Sequence, residues 1–517
     1  MSNLEEIKKY NLEECIVYFK ANLLQEEYLN NFKLMSINGE IEKNKIRNMS
    51  WRIFLNVFSQ DETISDWIET LSKQREEYKI KSKNLLKKTK FQGDPLGGGS
   101  NSNNEEWKNY YIEKDMKDLI KLDLSRTYQE INLFHDEKII TMLSNILLIW
   151  SKENIDLGYK QGMNDLLSII FLAFYPFYYP NDTKNTKEDL IKFSSQFELA
   201  MHHSKDLYLF FNDENNFESD LYFTFNNLMK KGMKDLYDLK ENDNKKINYK
   251  KYELFENEWT KEQNDDFKNP LLIRCSLIIK EKLKKIDPLL YQHFENIQLN
   301  TGIVLQRWLK CIFCREYDLN EIFILWDAIF ANEDDNNYPL IFIDFIAIAM
   351  IINIRNELFE GGQTECFSYL FKYPHQDNII QIIKISERIK NSIDLINKNK
   401  NVSINEIITG EKDEEIQDKN PKSIIKNLIS DENLKTIENT MKKGGEILTG
   451  ALNSVGGFFN KMQQKIVKKD DFVVNINNPH DANEKLMSLL KKYSGKMSKD
   501  DYREFYGVVD YLKKNFE

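Results

Sequence analysis

The stretch Asp136–Trp150 reads Asp-Glu-Lys-Ile-Ile-Thr-Met-Leu-Ser-Asn-Ile-Leu-Leu-Ile-Trp. Ile139, Leu143, Ile146, Leu147 and Trp150 recur at three- and four-residue spacing, one face of an α-helix. Asp136 stands where a helix N-cap belongs. The same period returns around Trp51 (Ile46, Ser50, Phe54, Val57), at Leu221, Phe225 and Leu228, and at Leu319, Phe323 and Trp326. No series of alternating short strands competes with it. The expected fold class is all-α. Two longer apolar runs, Leu166–Tyr179 and Ile341–Ile354, fall short of the ~18 residues a membrane span needs. The first is expected to stop at Pro176 and Pro180, and the second contains Asp344. Both read as buried core helices.

Composition narrows the class further. The chain has 517 residues, 72 Lys+Arg against 82 Asp+Glu and a formal charge of −10. That sign argues against a nucleic-acid partner, which calls for a basic domain. With 41% apolar residues, 12% aromatics and only 9 Pro and 19 Gly, there is material for a large core and little punctuation for an all-β chain. Five cysteines (Cys15, Cys275, Cys311, Cys314, Cys366) and a polar start without a signal-peptide apolar region favour a reducing, cytoplasmic setting.

Two short strings flank the Trp150 helix. Upstream is Ile120-Lys121-Leu122-Asp123-Leu124-Ser125-Arg126-Thr127; downstream is Tyr159-Lys160-Gln161-Gly162-Met163. A third, Arg47 and Trp51 four residues apart, lies near the N-terminus. Read alone, each has a plain meaning. Arg126 could pair with Asp123 three residues earlier. Gln161 could sit at a helix start. Trp51 reads as core, and Arg47 as either lining or bracing a groove.

Together the strings carry a resemblance. They match the I-x-x-D-x-x-R-T, Y-x-Q-G and R-x-x-x-W motifs of the TBC domain, found in GTPase-activating proteins for Rab GTPases. Gln306-Arg307-Trp308, Phe313 with Arg315-Glu316-Tyr317, and Leu325-Trp326-Asp327 agree with its later landmarks. The resemblance covers roughly residues 36 to 374. It implies a domain of two packed helical subdomains. Arg126 would then be an arginine finger, a permanently charged fork for phosphate oxygens. Such a finger can be worth ~10³–10⁵ in rate, or roughly 4–7 kcal/mol of barrier. Gln161 would act as a glutamine finger that orients the attacking water. Asp123 would orient Arg126, while Thr127, Tyr159 and Gly162 shape the loops, with Arg47 and Trp51 supporting. No cofactor of its own is implied, since Mg²⁺ and GTP arrive with the partner GTPase. The subgroup it resembles implies endosomal membrane traffic, a late-endosomal Rab, the retromer coat as partner, and peripheral attachment to endosomal membranes. The competing reading is a non-catalytic helical adaptor that binds a Rab or the retromer coat. A third is a membrane-tethering protein built on the C-terminal segment.

The domain plan that follows has an N-terminal helical extension (1–36) and a TBC domain (37–395) with flexible insertions near 92–105 and 240–269. A charged linker (396–434), an amphipathic Gly-containing helix (435–470) and a C-terminal helical segment (471–517) complete it. Gln92–Asn104 is read as a surface loop, and its Pro95 and Leu96 are a candidate docking point for a coat subunit. Lys435–Lys469 carries seven Lys and two Glu, a net +5. Leu448, Leu452, Val455, Phe458, Phe459 and Met462 would give it an apolar face. Its five glycines, each costing ~1 kcal/mol in a helix, suit a segment that folds only against a surface. That surface is either a membrane or the TBC domain itself. Cys311 and Cys314 form a lone C-x-x-C at i,i+3 spacing in a stretch that reads as apolar helix. They read as core, because a zinc site needs further ligands and none is evident. His202-His203 and the remaining histidines show no metal spacing.

Overall fold

A computed structural model of the chain describes residues 9–23, 28–86, 101–180, 204–238, 269–332, 339–374, 378–397 and 402–410. Among them the chain is built from helices, and no strand is formed. The expected all-α class is met. The N-terminal half comprises α1 (Leu12–Leu23), α2 (Tyr28–Ile37), α3 (Arg47–Phe54), α4 (Ile64–Leu85), α5 (Asn101–Ser125), α6 (Glu137–Glu153), α7 (Met163–Tyr178) and α8 (Phe217–Leu228). The C-terminal half contains α9 (Pro270–Leu277), α10 (Pro288–Asn296), α11 (Gly302–Lys310), α12 (Leu319–Ala331), α13 (Phe342–Asn353) and α14 (Ile379–Asn397). Residues 239–268, most of the second insertion, lie outside the described residues, as does everything after 410.

The stripe on α6 buries as its spacing requires. Leu143, Ile146, Leu147 and Trp150 are all in the core, and the Asp136 carboxylate accepts the Lys138 N–H at 2.8 Å as an N-cap. α6 packs between α5 and α8, and α8 also packs on α4 and α7. The Leu166 run forms α7, buried on nearly every side. Here one expectation is corrected. The helix does not stop at Pro176 but runs through it to Tyr178. Pro176 sits in the last turn, so only one backbone bond is lost, and its ring packs inside the core. α5 also begins earlier than expected. The last four residues of the stretch read as a loop, 101–104, are already helical.

α3 is short and wholly buried, so it must satisfy its charges internally. Arg47 reaches Asp327 on α12 through Nε (3.0 Å) and Nη2 (2.9 Å), and Trp51 Nε1 donates to the same carboxylate at 2.7 Å. Glu42 takes a third guanidinium proton from Arg47 Nη1 at 2.7 Å. These bonds join the N-terminal half to the C-terminal half. They also place Arg47 as a brace, and Trp51, fully buried beside Trp326 and Phe330, as core. One turn on, Arg52 donates Nη2 to Asp220 of α8 at 3.3 Å. Arg75 of α4 (2.7 Å) and the Tyr178 hydroxyl of α7 (2.6 Å) share that carboxylate. Burial pushes Arg52 down to about 10, with the Asp220 charge opposing. α13 hides Asp344 in the core by pairing it with Arg274 of α9 at 2.7 Å. No helix among the described residues is long and apolar enough to cross a membrane.

Candidate active site

Arg126 follows the last residue of α5, and Gln161 precedes the start of α7. Each is exposed, Arg126 at 51% of its side chain. Gln161 has no protein hydrogen-bond partner among the described residues. The segments that carry them are tied together from beneath. Asp123, in the last turn of α5, is 1% exposed and holds two groups. One is the Arg126 guanidinium, through Nη2. The other is the Tyr159 hydroxyl, which donates across 2.7 Å. Thr127 turns its Oγ1 back to the Asp123 carbonyl at 2.7 Å and accepts from Asn164 Nδ2 at 2.9 Å. Asn164 Oδ1 accepts the Gly162 N–H two residues before it at 3.0 Å, which ties the backbone after Gln161 to the start of α7. Asp123, Thr127, Tyr159, Gly162 and Asn164 thus form one polar network under the two exposed side chains.

The local chemistry explains the residue types. Burial raises the Tyr159 phenol, and its bond to Asp123 raises it further, so it stays a donor. Gly162 has φ +103°, a left-handed conformation that side chains avoid. A Cβ there would also meet the Tyr237 hydroxyl at 3.0 Å. Tyr237 is pinned in turn by donating to the Lys310 carbonyl at 2.7 Å. Backbone at Gln161-Gly162 therefore lies directly on the C-terminal half.

A second arginine completes the support. Arg315 donates Nε (3.1 Å) and Nη2 (2.7 Å) to Asp165 Oδ2, in the first turn of α7. Burial opposes its charge, but nearby Cys311 and the Asp165 carboxylate more than offset that and raise its pKa. Asn164, Asp165 and Tyr237 have supporting positions that the sequence reading did not assign, and Arg315 was seen only as a landmark. Asn164 and Asp165 lie within one turn of Gly162, so they were in local reach of the motif. Tyr237 and Arg315 come from distant sequence, and no local pattern links them to Gln161.

Cys311 and Cys314 are buried, as expected of core, but their setting is corrected. α11 ends at Lys310, and the two cysteines lie in the turn after it, not in a helix. Their sulfurs and an Asp165 oxygen lie within 4.8 Å of one another. His202-His203, Pro95-Leu96 and the apolar face from Leu448 to Met462 lie outside the described residues.

Residues 44–359 match the family model for the Rab-GTPase-TBC domain. The chain is 26% identical over 372 residues to TBC1 domain family member 5 of Homo sapiens, covering 70% of this chain and 43% of that protein. To TBC1 domain family member 13 of Homo sapiens it is 24% identical over 251 residues, 48% of each. To the GTPase-activating protein GYP1 of Saccharomyces cerevisiae it is 22% identical over 209 residues, 40% of this chain and 26% of that one. The solved Ypt/Rab-GAP domain of Gyp1p aligns with a TM-score of 0.49 at 18% identity, covering 74% of this chain and 99% of that chain. The chain spans less than half the length of the curated relatives it matches.

Proposed function

The chain belongs to the Rab-GTPase-TBC domain family, and on that premise we propose that it accelerates GTP hydrolysis by a Rab GTPase. Arg126 and Gln161 act in trans. The observation that carries this reading is the shared network beneath them. Two exposed polar side chains, 35 positions apart, stand on segments cross-linked by Tyr159–Asp123 and Asn164–Thr127 bonds.

The chemistry asks for that arrangement. Negative charge spreads over the transferring phosphoryl group, and the attacking water must be held in line. Arg126 brings a fixed cation to the phosphate oxygens, and its present bond to Asp123 holds it near the end of α5. A half-exposed ion pair of this kind is worth little, so the guanidinium can exchange one partner for another. The Gln161 carboxamide can accept from the water and donate to a phosphate oxygen. Network residues pre-organise both groups, which is where such a protein can supply barrier lowering without covalent chemistry. Mg²⁺ and GTP enter with the GTPase. Apolar side chains stand beside both fingers. Leu122 is 58% exposed one helical turn before Arg126, with Ile112 and Leu119 on the same face of α5, and Ile155 is 84% exposed on the loop leading to Gln161. They offer a surface for the partner GTPase to dry on docking.

The setting we propose is endosomal membrane traffic, with a late-endosomal Rab as substrate and peripheral attachment to the membrane. Pro95-Leu96 would dock the retromer coat, and Leu448, Leu452, Val455, Phe458, Phe459 and Met462 would meet either membrane or the TBC domain. Liposome flotation of a peptide spanning 431–470 tests the membrane arm, and no binding at any curvature rules it out. Full-length Leu96→Asp that still binds retromer ends the docking idea. Single-turnover GTP hydrolysis over a panel of GTP-loaded Rabs tests the main reading. Stimulation of at least one Rab is expected. Binding without stimulation of any would favour the adaptor instead.

A further inference from the structure

The five cysteines are all buried and unpaired, yet they are not equivalent. Cys15 and Cys366 are 0% exposed and Cys275 is 3%, whereas Cys311 and Cys314 reach 5% and 8%. Burial pushes the Cys15 and Cys366 thiols up to about 11 and raises Cys275 as well. Cys311 moves the opposite way. A hydrogen bond from the Cys314 thiol lowers it, burial and the Asp165 carboxylate oppose, and Arg315 and Lys310 add to the lowering. Cys314, as the donor in that bond, is raised and stays a thiol.

The backbone places the pair. Cys314 N–H donates to the Cys311 carbonyl at 3.0 Å, closing a four-residue turn. Such a turn brings its end Cα atoms within about 7 Å, a span a disulfide can bridge. Its central residues, Ile312 (φ +44°) and Phe313 (φ +59°), are both left-handed and neither is glycine. A β-branched residue rarely adopts that conformation. Burial of both side chains and fixed bonds hold it: Trp326 Nε1 donates to the Ile312 carbonyl at 2.9 Å, and Phe313 N–H donates to the Trp308 carbonyl at 2.9 Å. The turn aims the Cys311 thiol at Asp165, donating to Oδ2 across 3.9 Å, and sets its sulfur 3.6 Å from where a Gly162 Cβ would lie. Arg315 already occupies that Asp165 oxygen, which makes the site a dithiol beside an ion pair rather than a free ligand set.

We propose that Cys311 and Cys314 form an oxidisable dithiol, which a peroxide converts to a disulfide and which thereby displaces the Gly162–Asp165 segment behind Gln161. The disulfide stands on the geometry alone; its effect on hydrolysis rests on Gln161 acting as a finger. The Cys311 thiolate attacks one peroxide oxygen and the O–O bond breaks. That gives a sulfenic acid and a hydroxide, which takes up a proton to become water. Cys314 sulfur then attacks Cys311 sulfur. The S–S bond forms, the S–O bond breaks, and the leaving hydroxide departs with the Cys314 proton as a second water. The two sulfurs lose two electrons and the peroxide gains them. Once joined, the sulfurs must close to about 2.05 Å, and a packed interior passes such a shift to its neighbours. Asp165, Gly162 and Tyr237 are those neighbours.

Full-length protein treated with hydrogen peroxide and mapped by mass spectrometry tests the site. The tryptic peptide 311–315 is expected to lose two hydrogens, dithiothreitol should restore them, and Cys15, Cys275 and Cys366 should stay unmodified. Free thiols at 311 and 314, or oxidation only beyond the disulfide level, overturn the proposal. This mapping uses the wild-type chain and needs no variant to fold. In Cys314→Ser the Cys311 sulfenic acid should persist and be trapped by dimedone. Oxidised wild type should stimulate Rab GTP hydrolysis about 10- to 100-fold less than reduced protein, reversibly. A disulfide that forms with stimulation unchanged overturns the coupling to Gln161. No stimulation even from the reduced chain counts against the proposed activity instead, and the peptide map still decides the dithiol.

Discussion

Tyr159 donates its hydroxyl hydrogen to Asp123 across 2.7 Å, and Asp123 in turn holds the guanidinium of Arg126. One buried carboxylate therefore serves the segment before α7 and the exposed Arg126 after α5. Loss of the hydroxyl should be felt at both.

Tyr159→Phe is expected to destabilise the chain by about 1–3 kcal/mol, because the nearly buried Asp123 loses a donor. It should also slow stimulated GTP hydrolysis while leaving Rab binding close to wild type. Urea unfolding and single-turnover rates measured on the same preparation check both halves. An unaffected rate alongside the stability loss would make the bond structural only.

Gly162→Ala should act on the segment that carries Gln161. At φ +103° a Cβ is strained, of order 1–3 kcal/mol, and the Tyr237 hydroxyl 3.0 Å away would have to give way by a few tenths of an ångström. The expected result is a lower melting temperature together with a hydrolysis defect. Because the clash is with Tyr237, Tyr237→Phe in the Gly162→Ala background should recover part of the rate. No recovery would place the defect in backbone strain instead.

Asp327→Ala tests the brace between the halves. It leaves Arg47 buried with Glu42 alone, and breaking a buried pair by removing one partner costs about 3–5 kcal/mol. Thermal unfolding should report it. A change below about 1 kcal/mol would mean that Glu42 and solvent suffice to hold Arg47.

His293 gives the chain a pH dependence of known sign. Burial lowers its pKa below 6.5, with hydrogen bonding to the Gly361 carbonyl at 3.2 Å opposing. The unfolded state then takes up a proton more readily than the folded one. Its contribution is fully present above about pH 6.5 and is lost as pH falls through 6.5 towards the folded value. His293→Gln should flatten unfolding free energy over that window. An unchanged slope would remove His293 as its source.

Much of this was legible in the sequence, for physical reasons that differ by element. The α6 stripe and its Asp136 cap were readable because both signals are local and periodic. α7 was readable as core, but its passage through Pro176 was not. That depends on proline falling in a last turn whose neighbours pack against it. Arg126 and Gln161 were singled out through motif context, since an exposed Arg and an exposed Gln have no periodicity of their own. Their supports were partly hidden. Asp123 and Thr127 lie within one turn of Arg126, whereas Arg315 lies in the turn after α11 and Tyr237 in a short helical turn far from both in sequence, and only the fold brings them to α7. The Cys311–Cys314 turn was misread as helical because its apolar residues and i,i+3 spacing fit a helix. Two left-handed residues override that pattern, and the burial of their side chains is what holds them.

The most direct test of the account compares single-turnover GTP hydrolysis by a responsive Rab with wild type, Arg126→Ala and Gln161→Ala. Both side chains are exposed, so both variants should fold like wild type. The account predicts that Arg126→Ala loses about 10³-fold or more of the stimulation and Gln161→Ala about 100-fold. Equal hydrolysis with wild type and both variants would contradict it.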